Sequence, residues 1–157
     1  PRTARRQSES SIYHVINRGE GQQIVFENNA DRSFFMRRLD TLLNEEDGTL
    51  LAWCLMDNHF PLLLAIPFDR LHRLMHRLQT SYAGYFNRTH GHVGSVFGGR
   101  FKSEPVETDA YLMTVVRYIH ENPRKAGISG SLDYRWSSYR EFCIDGEYAD
   151  IAFVLDV

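Results

Sequence analysis

Two apolar runs, residues 49–56 and 59–66, are separated only by Asp57 and Asn58. Short apolar runs set off by a polar pair read as buried strands, and two so close together read as a β-hairpin. Around that hairpin the remaining segments alternate between strand and helix. Residues 12–17 alternate well enough for a first strand, and Arg18-Gly19-Glu20-Gly21 turns the chain. Residues 30–46 place Phe34, Phe35, Met36, Leu39, Leu42 and Leu43 at helical spacing, with Asn29 or Asp31 available as a cap. A second amphipathic helix spans 69–87, with Leu71, Leu74, Met75, Leu78, Tyr82 and Tyr85 on its apolar side and Arg70, Arg73 and Arg77 opposite. Residues 89–99, rich in glycine and histidine, read as a loop, and 100–106 as a fourth strand. A third helix, 108–122, starts near Thr108 or Asp109 and ends before Pro123. The order β-α-β-β-α-β followed by a helix predicts an α+β fold, a ferredoxin-like antiparallel sheet with an added C-terminal helix that bears Tyr118.

With 157 residues, 43% hydrophobic and 24% charged, the chain is expected to bury one core as a single domain, 1–157. Within it, 1–11 is expected to be a flexible basic arm and 124–157 a C-terminal extension. No stretch approaches the roughly 18 apolar residues of a membrane helix, and no apolar signal core follows the N-terminal arginines. A cytoplasmic location without a membrane partner is the expectation. Cys54 and Cys143 lack metal-type spacing and are expected to be buried thiols. A formal net charge of −2 hides an uneven distribution: between Arg70 and Lys125 there are nine Lys/Arg and four Asp/Glu. Such a stretch is compatible with a phosphate-binding face or with a solvated helix surface.

Helix 108–122 puts Tyr118 and Asn122 at i and i+4, one above the other, where a phenol and a carboxamide can meet one phosphate. His59 opens the run 59–66, so its imidazole would be held on a strand. A phenol stays protonated near neutrality and needs a metal, a base or positive charge nearby to attack phosphorus. Taken alone, Tyr118 also fits a core aromatic, His59 a structural histidine and Asn122 a helix-terminal residue. Arg73, Arg77, Arg88, Arg100 and Lys102, interleaved with Tyr85, Phe86, Phe97 and Phe101, form a candidate surface for single-stranded DNA, guanidiniums for phosphates and rings for bases, although each ring taken singly fits the core better. His120, two positions from Tyr118, points away from that helix face. His90 and His92 lie in a glycine-rich segment as phosphate contacts or an adventitious metal pair.

Several ordered segments together resemble the single-tyrosine HUH transposases, and most closely the REP-associated tyrosine transposases. They are Tyr13-His14-Val15-Ile16-Asn17-Arg18-Gly19, Met56-Asp57-Asn58-His59, Tyr85-Phe86-Asn87-Arg88, Gly99-Arg100-Phe101-Lys102-Ser103, Tyr118-Ile119 before Asn122-Pro123, and Trp136-Ser137-Ser138-Tyr139. The resemblance implies cutting and rejoining of single-stranded DNA hairpins through a 5′-phosphotyrosine intermediate. It implies Tyr118 as nucleophile, His59 and Asn122 as ligands of a divalent cation, Mg²⁺ or Mn²⁺, and, as in many single-tyrosine transposases, a homodimer. One position departs from the family pattern. The metal motif is His-hydrophobe-His, and Pro61, which has no donor atom, stands at the third position. Residues 59 and 61 of a strand share a face, so the change falls on the metal site itself. Two readings therefore stand beside an active transposase: a hairpin-binding protein that cleaves poorly or not at all, and a metal-dependent hydrolase that uses water instead of Tyr118.

Overall fold

In the computed structural model, which describes residues 3–128, 133–143 and 148–156, four strands pair in the order β2-β3-β1-β4. They are β1 (Ile12–Arg18), β2 (Thr49–Trp53), β3 (His59–Ala65) and β4 (Lys102–Pro105), and every pairing is antiparallel. Helices α1 (Asn29–Glu45) and α2 (Phe68–His90) are the crossovers, and α3 (Asp109–Lys125), which carries Tyr118, follows β4. This is the ferredoxin-like βαββαβ order with an added helix. Two short helices, α4 (Tyr139–Cys143) and α5 (Ile151–Leu155), come after it.

Strand alternation sorts the side chains onto two faces. Tyr13 and Val15 of β1 and Phe60, Leu62 and Leu64 of β3 join Phe35, Leu39, Leu74 and Tyr82 in a core beneath α1 and α2. Ile12 and Leu63 point the other way and pack with Val115, Val116 and Ile119 of α3. By the same period of two, His14, Ile16, His59 and Pro61 lie on the α3 side of the sheet.

Three details differ from the sequence expectation, each for a local reason. Helix α1 is capped by Asn28, whose side chain accepts from the Asp31 amide, and not by Asn29 or Asp31. The regular part of β2 ends at Trp53 and not at Met56, although the Cys54 and Met56 amides still donate to the Pro61 and His59 carbonyls, at 3.2 and 2.9 Å, so the hairpin closes at Asp57-Asn58 as expected. Between them the Leu55 amide donates to the Trp136 carbonyl at 2.8 Å and Cys54 bridges to Ser137, so the segment after α3 pairs with this stretch beside β3. Finally, α3 runs through Pro123 to Lys125. Proline offers no N–H to the Ile119 carbonyl, and the Asn122 side-chain amide covers that carbonyl instead, at 3.4 Å.

Asp31 has a different task from capping. It is fully buried and accepts from the Glu27 amide at 2.9 Å, the Tyr85 hydroxyl at 3.0 Å and His90 Nε2 at 2.8 Å. Asp31→Ala leaves those buried donors without an acceptor and should lower stability by about 3 kcal/mol, read from the midpoint of a urea titration.

Where the sequence suggests a loose arm, residues 3–11 contact the body. The Arg5 guanidinium lies 3.6 Å from the Phe101 ring centroid, and the Ser8 amide donates to the Tyr13 hydroxyl at 2.9 Å. Cys54 is buried; the side chain of Cys143 lies outside the described residues. Among the described residues no helix is long and apolar enough to cross a membrane.

Candidate active site

Helix α3 lays its Tyr118–Asn122 face over β1 and β3. Asn122 is 9% exposed, and its Nδ2 donates to the Tyr118 carbonyl at 2.9 Å, which turns Oδ1 toward His59. Oδ1 lies 3.2 Å from His59 Nε2. Burial holds His59 below the ordinary histidine range; the Asn122 contact opposes that shift and the Arg18 charge adds to it. A neutral imidazole has one ring proton. Held on Nδ1, it is donated to Asn58 Oδ1 at 2.8 Å, and the Nε2 lone pair then faces the Asn122 oxygen. Two lone pairs converging at this separation suit neighbouring positions around one small cation, whose ligands sit at about 2.1 Å. The donor pair therefore fits a divalent ion, with two protein ligands.

Pro61 occupies the third position of that motif, on the same face as His59. The sheet explains how an interior strand tolerates it. Pro61 pairs with Ile16 of β1, and its carbonyl accepts from the Cys54 amide at 3.2 Å, one residue past the end of β2. The N and C=O of a strand residue face the same neighbour. The missing N–H thus faces the end of the β2 ladder, where its loss leaves the β1 pairing intact.

Tyr118 is 37% exposed and lines an open cleft of about 530 Å³ with His14, Arg18, Arg100, Lys102 and Glu104. Strand β4 delivers part of this lining, pairing Lys102 with Ile16 and Glu104 with His14. The His14 ring packs edge-on against Tyr118 with centroids 5.6 Å apart, and Lys125 Nζ lies 4.8 Å from the Tyr118 centroid.

Of the five cations assigned to DNA by sequence, the fold brings Arg100 and Lys102 into this cleft. Arg73 and Arg77 sit on α2, on the other side of the sheet. Arg73 forks onto Glu46, with Nε at 2.8 Å and a terminal nitrogen at 2.7 Å from Oε2, and Arg77 pairs with Glu45 and Glu46. Hydrogen bonding to Arg73, above all, holds the Glu46 carboxyl below its usual range. Arg88 is exposed near the end of α2, outside the cleft lining. Phe86, Phe97 and Phe101 take the core reading and not the stacking one: all three are buried, and Tyr85 packs against the same core. His90 binds Glu27 and Asp31 and so anchors the end of α2, while His92 meets Asn87 and Gln23 and ties the start of the 91–99 segment to the body.

His14 received no role from sequence. Its Nε2 is buried with no hydrogen-bond partner among the described residues, and burial keeps its pKa low against the opposing charge of Glu104. The signal was present in the alternation of β1, where Ile12, His14 and Ile16 share a face and His14 is its polar member. His120 does point away from Tyr118: its Nε2 meets the Ser138 hydroxyl at 2.7 Å, and its ring packs on Tyr139 and Phe142. Burial lowers its pKa to about 4. An unfolded histidine titrates near ~6.5, so between those values the unfolded chain binds more protons than the folded one, and stability falls as pH falls. Urea titrations from about pH 7 down to pH 4 should show the wild type losing about 3 kcal/mol more than His120→Gln.

A four-stranded antiparallel sheet with a tyrosine-bearing helix across one face is a ferredoxin-like architecture with an added helix, a fold that by itself serves many functions. The backbone resembles that of a REP-associated tyrosine transposase solved bound to a REP hairpin, with a TM-score of 0.75 and 14% identity over 96% of this chain and 93% of that one. It also resembles a candidate transposase from Deinococcus radiodurans R1, with a TM-score of 0.50 and 18% identity over 77% of this chain and 97% of the other. No curated protein matches by sequence. The profile of the IS200-like transposases matches residues 7–122, and the chain belongs to that family.

Proposed function

We propose that this protein cuts and rejoins single-stranded DNA at hairpins, with Tyr118 as the nucleophile. The observation that carries this reading is the placement of Tyr118, exposed in a cleft with Arg18, Arg100 and Lys102 and on the same helix face as the Asn122–His59 pair. A hairpin is the favoured substrate because a protein of the same fold was solved on one.

The cationic side chains hold the backbone phosphates on either side of the scissile one. The Tyr118 oxygen attacks phosphorus, an O–P bond forms, and the bond to the 3′ oxygen breaks. The phenolic proton passes to a base, and the departing 3′ oxygen takes up a proton. His14, neutral and with Nε2 unpartnered, is the base packed against the Tyr118 ring. The 5′-phosphotyrosine keeps the energy of the phosphodiester, so a 3′-hydroxyl can reverse the step. When bound at His59 and Asn122, Mg²⁺ or Mn²⁺ supplies positive charge that polarises the scissile phosphate.

A second reading, a hairpin binder with little cleavage, is favoured by one observation, Pro61 on the metal-facing side of β3. Incubating the protein with a labelled hairpin oligodeoxynucleotide and Mn²⁺ tests both. A denaturant-resistant adduct whose peptide mass maps to Tyr118 is the expected result. Binding without an adduct would select the second reading, and neither binding nor adduct would overturn both.

A further inference from the structure

A second concavity of about 430 Å³ lies between α2 and residues 94–101, lined by Arg5, His72, His76, Gln79, Arg100 and Phe101 among others. No carboxylate lines it among the described residues. That is unusual for this helix, since Arg70 pairs with Asp47, Arg73 with Glu46, and Arg77 with both Glu45 and Glu46. The groove, by contrast, is lined by both Arg5 and Arg100, and the Arg100 charge adds to burial in lowering the pKa of Arg5. Like charges held together without an acid leave room for an anion. A terminal nitrogen of Arg5 donates to the Phe101 carbonyl at 3.1 Å, while its Nε is buried with no hydrogen-bond partner among the described residues. His72 and His76, exposed one turn apart with rings 6.1 Å apart, add imidazole nitrogens to the same wall.

A bare phosphate would leave one group unexplained. Gln79 Oε1 is also buried without a hydrogen-bond partner among the described residues, and it is an acceptor, which calls for a donor such as the amino group of a base. Cationic donors beside an orphaned acceptor describe a nucleotide. The groove adjoins the Tyr118 cleft, since Arg100 lines both. The ridge between them is Gly98-Gly99, which presents backbone only, and Gly99 at φ +95° adopts a conformation that side-chain-bearing residues rarely take.

From this juxtaposition we infer that the α2 groove is a second nucleotide-binding subsite, holding single-stranded DNA after it crosses Gly98-Gly99 out of the Tyr118 cleft. The inference rests on the DNA-cutting reading above. Fluorescence anisotropy with a labelled hairpin carrying long single-stranded extensions tests it. The double variant His72→Gln/His76→Gln should bind roughly three- to tenfold more weakly, and Arg5→Gln should also reduce the salt slope by about one. Arg37→Gln, which removes an exposed cation from α1, should bind as the wild type does. Because Arg5 packs on Phe101, the thermal midpoint of each variant is measured alongside, and the exposed histidine pair decides if Arg5→Gln unfolds. Wild-type affinity in the folded histidine double variant would overturn the subsite. If the Tyr118 adduct still forms in the wild type, the cutting reading survives that failure. Weakened binding by the groove variants with no adduct in any protein would instead keep the subsite and sink the cutting reading.

Discussion

Tyr118→Phe should abolish the covalent protein–DNA adduct, a loss of at least about a thousandfold, while stability changes by less than about 0.5 kcal/mol. The change removes one oxygen. The ring still packs against His14 at 5.6 Å and beneath Lys125 at 4.8 Å, and Asn122 still donates to the backbone carbonyl of residue 118, so α3 and the cleft keep their shape. Affinity for the hairpin should stay near wild type, since Arg18, Arg100 and Lys102, the proposed phosphate contacts of the cleft, are left unchanged. The measurement pairs a denaturing gel for the adduct with anisotropy for binding. Strand cleavage that persists in Tyr118→Phe without an adduct would mean that water is the nucleophile, and the chain would then be a hydrolase.

Local periodicity carried most of the fold, because alternation and helical spacing report which side chains must be buried together. The pair of strands flanking Asp57, the apolar stripes of α1 and α2, and the shared face of Tyr118 and Asn122 were all legible for that reason. Contacts made across the chain were not. Arg73 reads as a DNA cation until Glu46, 27 residues earlier in sequence, is found under it. Phe101 reads as a core ring or a stacking ring, and nothing near it in sequence announces that Arg5, 96 residues away, covers its face. Pro123 is a sound stop signal whose effect is cancelled by the side chain of Asn122. The same residue also faces His59, so one amide both sustains the helix end and completes the donor pair. Sequence placed Asn122 in the site by likeness; the double duty explains why the asparagine precedes a proline.

Restoring a histidine at position 61 should tighten Mn²⁺ binding by at least roughly tenfold, since even an outer-shell partner of a metal site is worth about 10–100-fold. Positions 59 and 61 project from the same face of β3, and a third donor there would join the His59 and Asn122 pair. The backbone should accept the change. Pro61 contributes no ladder hydrogen bond toward β1, and a histidine would return an N–H on the side of Cys54, where the ladder is incomplete. The test is the rise in thermal midpoint on adding Mn²⁺, which reports binding to the folded state without requiring catalysis. A larger Mn²⁺-dependent rise in Pro61→His than in wild type, together with faster adduct formation, would show that Pro61 limits a site otherwise in place. An unchanged response would mean that the His59–Asn122 pair does not hold the cation, and Asn122 would be left with its role at the end of α3 alone.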